Sequence, residues 1–218
     1  MGRPVNILTP QRRFKRRDFL LSLMPIIAAS RRRSSYLVSE DFEGTGAPSG
    51  WVNQNGVGTV DWDNTGSTSP QGGQCLFVAS NTFNTSATGA SFTLPAPLGT
   101  FGYYAQMRCG NVSANRYWYF TDQEGIYFRG SANDELDAVA VITGYFNNFT
   151  WYHIWLDRTP TYKALYVSTT ATKPGSPTAT RTGTFSNITK LVSAFNAASG
   201  VWLDKVRLSA SPIGSNPA

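Results

Sequence analysis

The sequence predicts an all-β fold of two packed antiparallel sheets, preceded by a basic N-terminal arm. Three observations predict it. Residues 36–218 are rich in Thr, Ser, Gly, Asn and aromatic residues and poor in Leu, Lys and Glu, a composition that disfavours long amphipathic helices and suits short strands joined by turns. Short β-type runs alternate with turn clusters along that stretch, at the spacing of a sandwich. Charge is split as well: residues 1–35 hold nine Lys/Arg against one Asp, whereas residues 36–218 hold ten Lys/Arg against twelve Asp/Glu. The overall charge of +6 therefore belongs to the arm. The body, slightly negative, offers no basic face to nucleic acid.

In the arm, residues 1–35, the basic groups cluster as Arg12, Arg13, Lys15, Arg16 and Arg17, then Arg31, Arg32 and Arg33. Any acidic partner should meet them there. Arg16-Arg17-Asp18-Phe19-Leu20, followed by an apolar stretch to Ala29 and the small residues Ala28-Ala29-Ser30, resembles a twin-arginine export signal that would be cleaved. Pro25 interrupts that apolar stretch, three arginines follow it at once, and it is too short to span a bilayer. Those features favour a retained arm, extended at Pro4 and Pro10, that binds neighbouring subunits of a homo-oligomer or larger assembly. The cleaved signal stays open as the alternative.

The body, residues 36–218, suits one domain with a substantial core. Strands are expected over 36–42, 57–61, 75–79, 91–94, 101–107, 116–121, 125–128, 138–143, 151–157, 164–168, 188–195 and 201–208. So many strands exceed the comfortable width of one sheet, so two sheets follow. Gly-, Asn- and Pro-rich clusters at 44–50, 64–73, 110–115, 143–149 and 173–177 supply the turns. Whether Cys75 and Cys109 form a bridge depends on a register that spacing does not give.

Side chains alternate along a strand, so two strands can be resolved face by face. Phe101, Tyr103, Ala105 and Met107 form an apolar face for the core. Tyr104, Gln106 and Arg108 form the other, a flat ring with planar amide and guanidinium donors that would stack on and hydrogen-bond to a sugar ring. In the next strand Tyr117 and Tyr119 oppose Trp118 and Phe120. One pair belongs to the core, and the other forms a binding platform or packs under a loop. Tyr104, Gln106, Arg108, Tyr117 and Tyr119 are thus the carbohydrate-binding candidates, against the plainer reading of an ordinary outer sheet face.

Ser39-Glu40-Asp41-Phe42-Glu43-Gly44 with Pro48-Ser49-Gly50-Trp51 resembles the opening of laminin-G-like, concanavalin A-like jelly rolls and carbohydrate-binding modules. Trp151-Tyr152-His153-Ile154-Trp155-Leu156 and Ala164-Leu165-Tyr166-Val167-Ser168 resemble that group's central strands. Val201-Trp202-Leu203-Asp204-Lys205-Val206-Arg207-Leu208 resembles its closing strand. The resemblance implies a two-sheet antiparallel jelly roll over most of residues 39–214, similar to bacterial and phage-encoded surface proteins. It also implies a structural calcium between first and last strands, with Asp41, Glu43 and Asp204 as ligands, since a hard cation takes several carboxylate oxygens. Fold alone settles no activity.

Laminarinase-type hydrolases on this fold carry Glu-x-Asp-x-x-Glu, and Glu135-Leu136-Asp137-Ala138-Val139-Ala140 is similar but has Ala140 in place of the acid/base. Retaining hydrolysis needs that second carboxyl. The one histidine, His153, lies between Trp151 and Trp155 at period two, where a core role is favoured over a catalytic one. No phosphate-binding glycine loop or nucleophile elbow is present. The expectation is a non-catalytic structural or adhesion protein of a virion or extracellular surface, its lectin-like jelly roll facing outward and its arm anchoring it to other subunits. A secreted monomeric carbohydrate-binding module with a cleaved signal is the alternative.

Overall fold

A computed structural model describes residues 36–54, 58–65, 72–79, 89–112, 116–129, 133–142, 146–196, 199–215 and 217. The arm, with Arg12 to Arg33 and the export-signal motif, lies outside the described residues. Every regular element described is a strand. In chain order these are β1 (Val38–Glu40), β2 (Trp51–Gln54), β3 (Thr59–Asn64), β4 (Cys75–Ala79), β5 (Gly89–Leu98), β6 (Phe101–Cys109), β7 (Arg116–Thr121), β8 (Gly125–Phe128), β9 (Glu135–Leu136), β10 (Ala140–Val141), β11 (Trp151–Arg158), β12 (Tyr162–Ser168), β13 (Ala179–Thr182), β14 (Ile188–Phe195) and β15 (Val201–Ser209).

They form two antiparallel sheets. The eight-stranded sheet runs β13-β12-β11-β6-β15-β4-β3, with β1 pairing the far half of β15, and the seven-stranded sheet runs β10-β9-β8-β7-β14-β5-β2. The expected sandwich is therefore the observed fold. Three strands escape the sequence pattern: β2, β9 and β13. Two of them, β2 and β13, are sheet edges, where a strand buries few side chains and tolerates a polar sequence such as Ala-Thr-Arg-Thr. The strand expected over 138–143 shrinks to β10. Asp137 and Ala138 take left-handed φ of 53° and 55° and turn the chain there.

Alternation builds the core. Phe101, Tyr103, Ala105, Met107 and Cys109 of β6 meet Trp118 and Phe120 of β7 between the sheets, and Tyr103 stacks on Phe120 with centroids 5.2 Å apart. Each such large side chain contributes roughly 1.5–3 kcal/mol on burial. Gly125 is required by close approach. A Cβ there would lie 2.1 Å from the Tyr117 ring.

Cys75 and Cys109 sit on β4 and β6, the strands flanking β15. Two strand spacings, about 9–10 Å, exceed what a disulfide bridges. Both cysteines are buried and neither is in a disulfide; Cys75 Sγ donates to the Asn64 carbonyl at 3.5 Å. Intact mass after alkylation in denaturant without reductant should show two modified cysteines; a mass lacking both adducts would contradict the register. Ala138→Gly should raise stability by about 1 kcal/mol, because glycine tolerates the left-handed backbone that costs alanine. Urea midpoints measure it.

Candidate functional site

One end of the sandwich is organised by buried charge. Glu124, on the β7–β8 turn, receives Arg158 Nε at 3.0 Å and Lys163 Nζ at 2.8 Å, all three side chains nearly fully buried. Thr121 Oγ1 donates to its second oxygen. Asp137, on the β9–β10 turn, takes Lys163 Nζ and Arg181 Nη1, each at 2.9 Å, and the Gly125 N–H at 3.1 Å. Phe185 lies over the cations, with Lys163 Nζ 4.2 Å from its centroid. Acids from the seven-stranded sheet thus meet bases from β11, β12 and β13 of the other. Their pairing satisfies charges that would otherwise be costly to bury.

The clamped turns set a tyrosine face. Trp118, Phe120, Ile126 and Phe128 point into the core, so Tyr117, Tyr119 and Tyr127 point out. Tyr117 stacks on Tyr119 with centroids 4.1 Å apart and lies 5.7 Å from Tyr127, its cross-strand partner. Tyr117 is buried between the other two, which remain partly exposed. Tyr127 pairs in turn with Glu135, and Arg129 spans both, its guanidinium 5.1 Å over the Tyr127 ring and 2.7 Å from the Glu135 carboxylate. Burial, followed by the charge of Asp137, pushes Tyr119 up to about 12 and Tyr117 higher still. Both phenols are neutral donors at ordinary pH.

On the opposite side, the outer face of the eight-stranded sheet, the candidates part company. Tyr104 and Gln106 are buried, a correction to their reading as an open sugar platform. Residues of the C-terminal segment cover them: Ile213 packs with Tyr104 and Trp155, Trp155 Nε1 donates to the Gly214 carbonyl at 3.1 Å, and Lys173 Nζ reaches the Ile213 carbonyl at 3.0 Å. Beneath, Gln106 Nε2 donates to Tyr104 Oη at 3.1 Å, and that oxygen lies 2.8 Å from His153 Nδ1. His153 is half-buried and stacked on Trp155. Arg108 remains partly exposed.

The three expected calcium ligands do not converge. Asp41 is paired with Arg207, and Glu43 accepts the Gly73 N–H at 3.3 Å. Asp204 is buried on the β15 bulge, close enough to Tyr104 to influence its phenol. Among the described residues, no group of three or more His, Cys, Asp or Glu is placed to hold a metal. This donor set does not fit a calcium site.

Glu135 and Asp137 are likewise engaged, the first by Arg129 and the second by Lys163 and Arg181. Ala140, at the acid/base position of the hydrolase motif, packs against the core.

No family model and no curated protein matches the chain. Solved structures do. A sialidase superposes with TM-score 0.57 at 10% identity, covering 80% of this chain and 18% of its own. A Bacillus subtilis protein of unknown function with a galectin-like fold superposes with TM-score 0.55 at 9% identity, covering 81% of this chain and 96% of its own. The chain spans less than a fifth of the sialidase's length. At such identities the likeness establishes the fold, a concanavalin A-like jelly roll.

Sequence reading missed Tyr127, Arg129 and Arg181. Tyr127 had a signal, since it alternates with Ile126 and Phe128 one short turn after Tyr117. Arg181 had none, because only the tertiary fold brings β13 beside Asp137.

Glu124→Gln should cost on the order of 3 kcal/mol in urea unfolding, because it leaves Arg158 and Lys163 buried with one charge fewer to pair. A loss under 1 kcal/mol would show the cluster is not a clamp. His153 gives a pH dependence: burial, then the Lys205 ammonium, holds its imidazole below the usual range. The unfolded chain binds a proton near pH 6.5 while the folded one refuses it, so stability present above that pH is lost as pH falls. Melts at pH 7.5 and 5.5 should differ more in the parent than in His153→Gln.

Proposed function

We propose that this protein is a non-catalytic glycan-binding jelly roll displayed on a virion or other extracellular surface, and held in its assembly by the N-terminal arm. The observation that carries the binding function is the tyrosine face: Tyr119 and Tyr127 present ring surface and hydroxyls, with the Arg129–Glu135 pair beside Tyr127. Aromatic rings flanked by paired donors and acceptors can stack on a sugar's apolar face and hydrogen-bond its hydroxyls. The ionic clamp supports it, since a rigid turn holds the rings without ordering cost on binding.

Two observations favour binding over hydrolysis. Glu135 and Asp137 are neutralised by basic partners, and Ala140 supplies no proton. The charge split supports an anchoring arm, because the +8 of residues 1–35 can meet acidic neighbouring subunits while the body stays slightly negative.

Affinity electrophoresis of the whole chain in gels containing soluble polysaccharides tests the binding. Tyr119→Ala and Tyr127→Ala should each weaken retention by about tenfold, the loss of roughly 1.4 kcal/mol of stacking. Unchanged retention in both would remove the tyrosine face as the site. For the arm, sedimentation of protein from its natural source should show an uncleaved chain in an oligomer. A monomer starting near Ser30 would point to the secreted module instead.

A further inference from the structure

Across the outer face of the eight-stranded sheet runs a row of four planar side chains, one per strand. Phe77 on β4 pairs with Trp202 on β15, Trp202 with Arg108 on β6, and Arg108 with Trp151 on β11. Their neighbours Leu76, Leu203, Met107 and Tyr152 point into the core, so alternation turns the row outward. All four are partly exposed. The Phe77 and Trp202 rings lie 4.9 Å apart, and the Arg108 guanidinium sits 5.2 Å from the Trp202 centroid. Three strand spacings make the row about 14 Å long.

Phe149 stands over this row, its ring centroid 5.4 Å from the Arg108 guanidinium. The residue is 56% exposed and its φ is +57°, a conformation costly for a bulky side chain. Two hydrogen bonds hold it there. Its N–H donates to the Cys109 carbonyl at 2.7 Å, and its carbonyl accepts Arg108 Nε at 3.0 Å. Packing does not account for the strain, since the ring reaches solvent rather than the core. Strain retained at an exposed aromatic points to use at a surface.

We propose that this row is a second glycan site, taking a neutral linear polysaccharide laid across the strands, with Trp202 and Phe149 stacking on sugar rings and Arg108, in contact with both, fixing Phe149. The proposal rests on the glycan reading above for its class of ligand alone. Charge favours a neutral sugar chain over single-stranded nucleic acid: residues 36–218 carry twelve acids against ten bases, and Asp61 adjoins Phe77 at the row's end. Because the tyrosine face lies on the opposite sheet, one molecule would bridge two chains.

Phe149→Gly is the decisive variant, because glycine adopts this backbone freely and the fold should survive. Whole-chain parent, Phe149→Gly, Trp202→Ala and Tyr127→Ala would be compared by affinity electrophoresis against β-glucan, xylan and galactomannan, by turbidity for cross-linking, and by retention on poly(dT). The proposal expects the parent to cross-link one of the three. Phe149→Gly and Trp202→Ala should melt like folded protein, bind about tenfold more weakly at this face and fail to cross-link. Phe149→Gly with parental retention and cross-linking, or retention on poly(dT) with none on polysaccharide, would overturn it. Tyr127→Ala with parental binding, alongside loss in Phe149→Gly, would sink the tyrosine face and leave the row standing.

Discussion

The buried contact of Glu124 and Asp137 with Arg158, Lys163 and Arg181 is the constraint on which the arrangement of this molecule depends. Jelly-roll sheets are held chiefly by apolar packing, which is tolerant of small slides. Charges with fixed partners in a low-dielectric interior are not tolerant, because a slide that separates one pair leaves an uncompensated ion. By joining turns of one sheet to strands of the other, the cluster sets how the β7–β8 and β9–β10 hairpins lie. It also explains how Asp137 and Ala138 keep left-handed backbone without glycine: the aspartate is gripped by two cations and an N–H.

The same cluster decides what the carboxylates can do. A hydrolase needs one acid held protonated and another free to attack or activate water. In this protein the candidate acids are tied to bases, and the third position of the motif is a methyl group against the core. The outer faces of the two sheets carry partly exposed aromatic side chains, with tyrosines on one sheet and a Phe–Trp–Arg–Trp row on the other.

Covering of the second face is uneven, and the reason is the bulge in β15. Leu203 and Val206 both face the core, so Asp204 and Lys205 between them face outward together. Lys205 meets the Pro217 carbonyl at 3.4 Å, and the C-terminal segment lies over Tyr104, Gln106 and Trp155 while Arg108 and Trp202 are left partly open. One strand, read by alternation as a single platform, is thereby divided into a buried half and an accessible end.

By itself the sequence determined the class of fold, the core face of β6, and the separation of a basic arm from a slightly acidic body. Those properties follow from local period, composition and summed charge, which need no knowledge of which strand neighbours which. Gly125–Phe128 and Arg116–Thr121 were legible to the residue because each is a short run of aromatic and β-branched residues bounded by turn signals. Tertiary structure alone decided that Tyr104 is covered, that Asp41, Glu43 and Asp204 part company, and that Cys75 and Cys109 lie two strands apart. Each outcome depends on contacts between segments well separated in the chain or on a tail folding back over a sheet. Such contacts are selected by packing and charge in three dimensions, and leave no period in the chain.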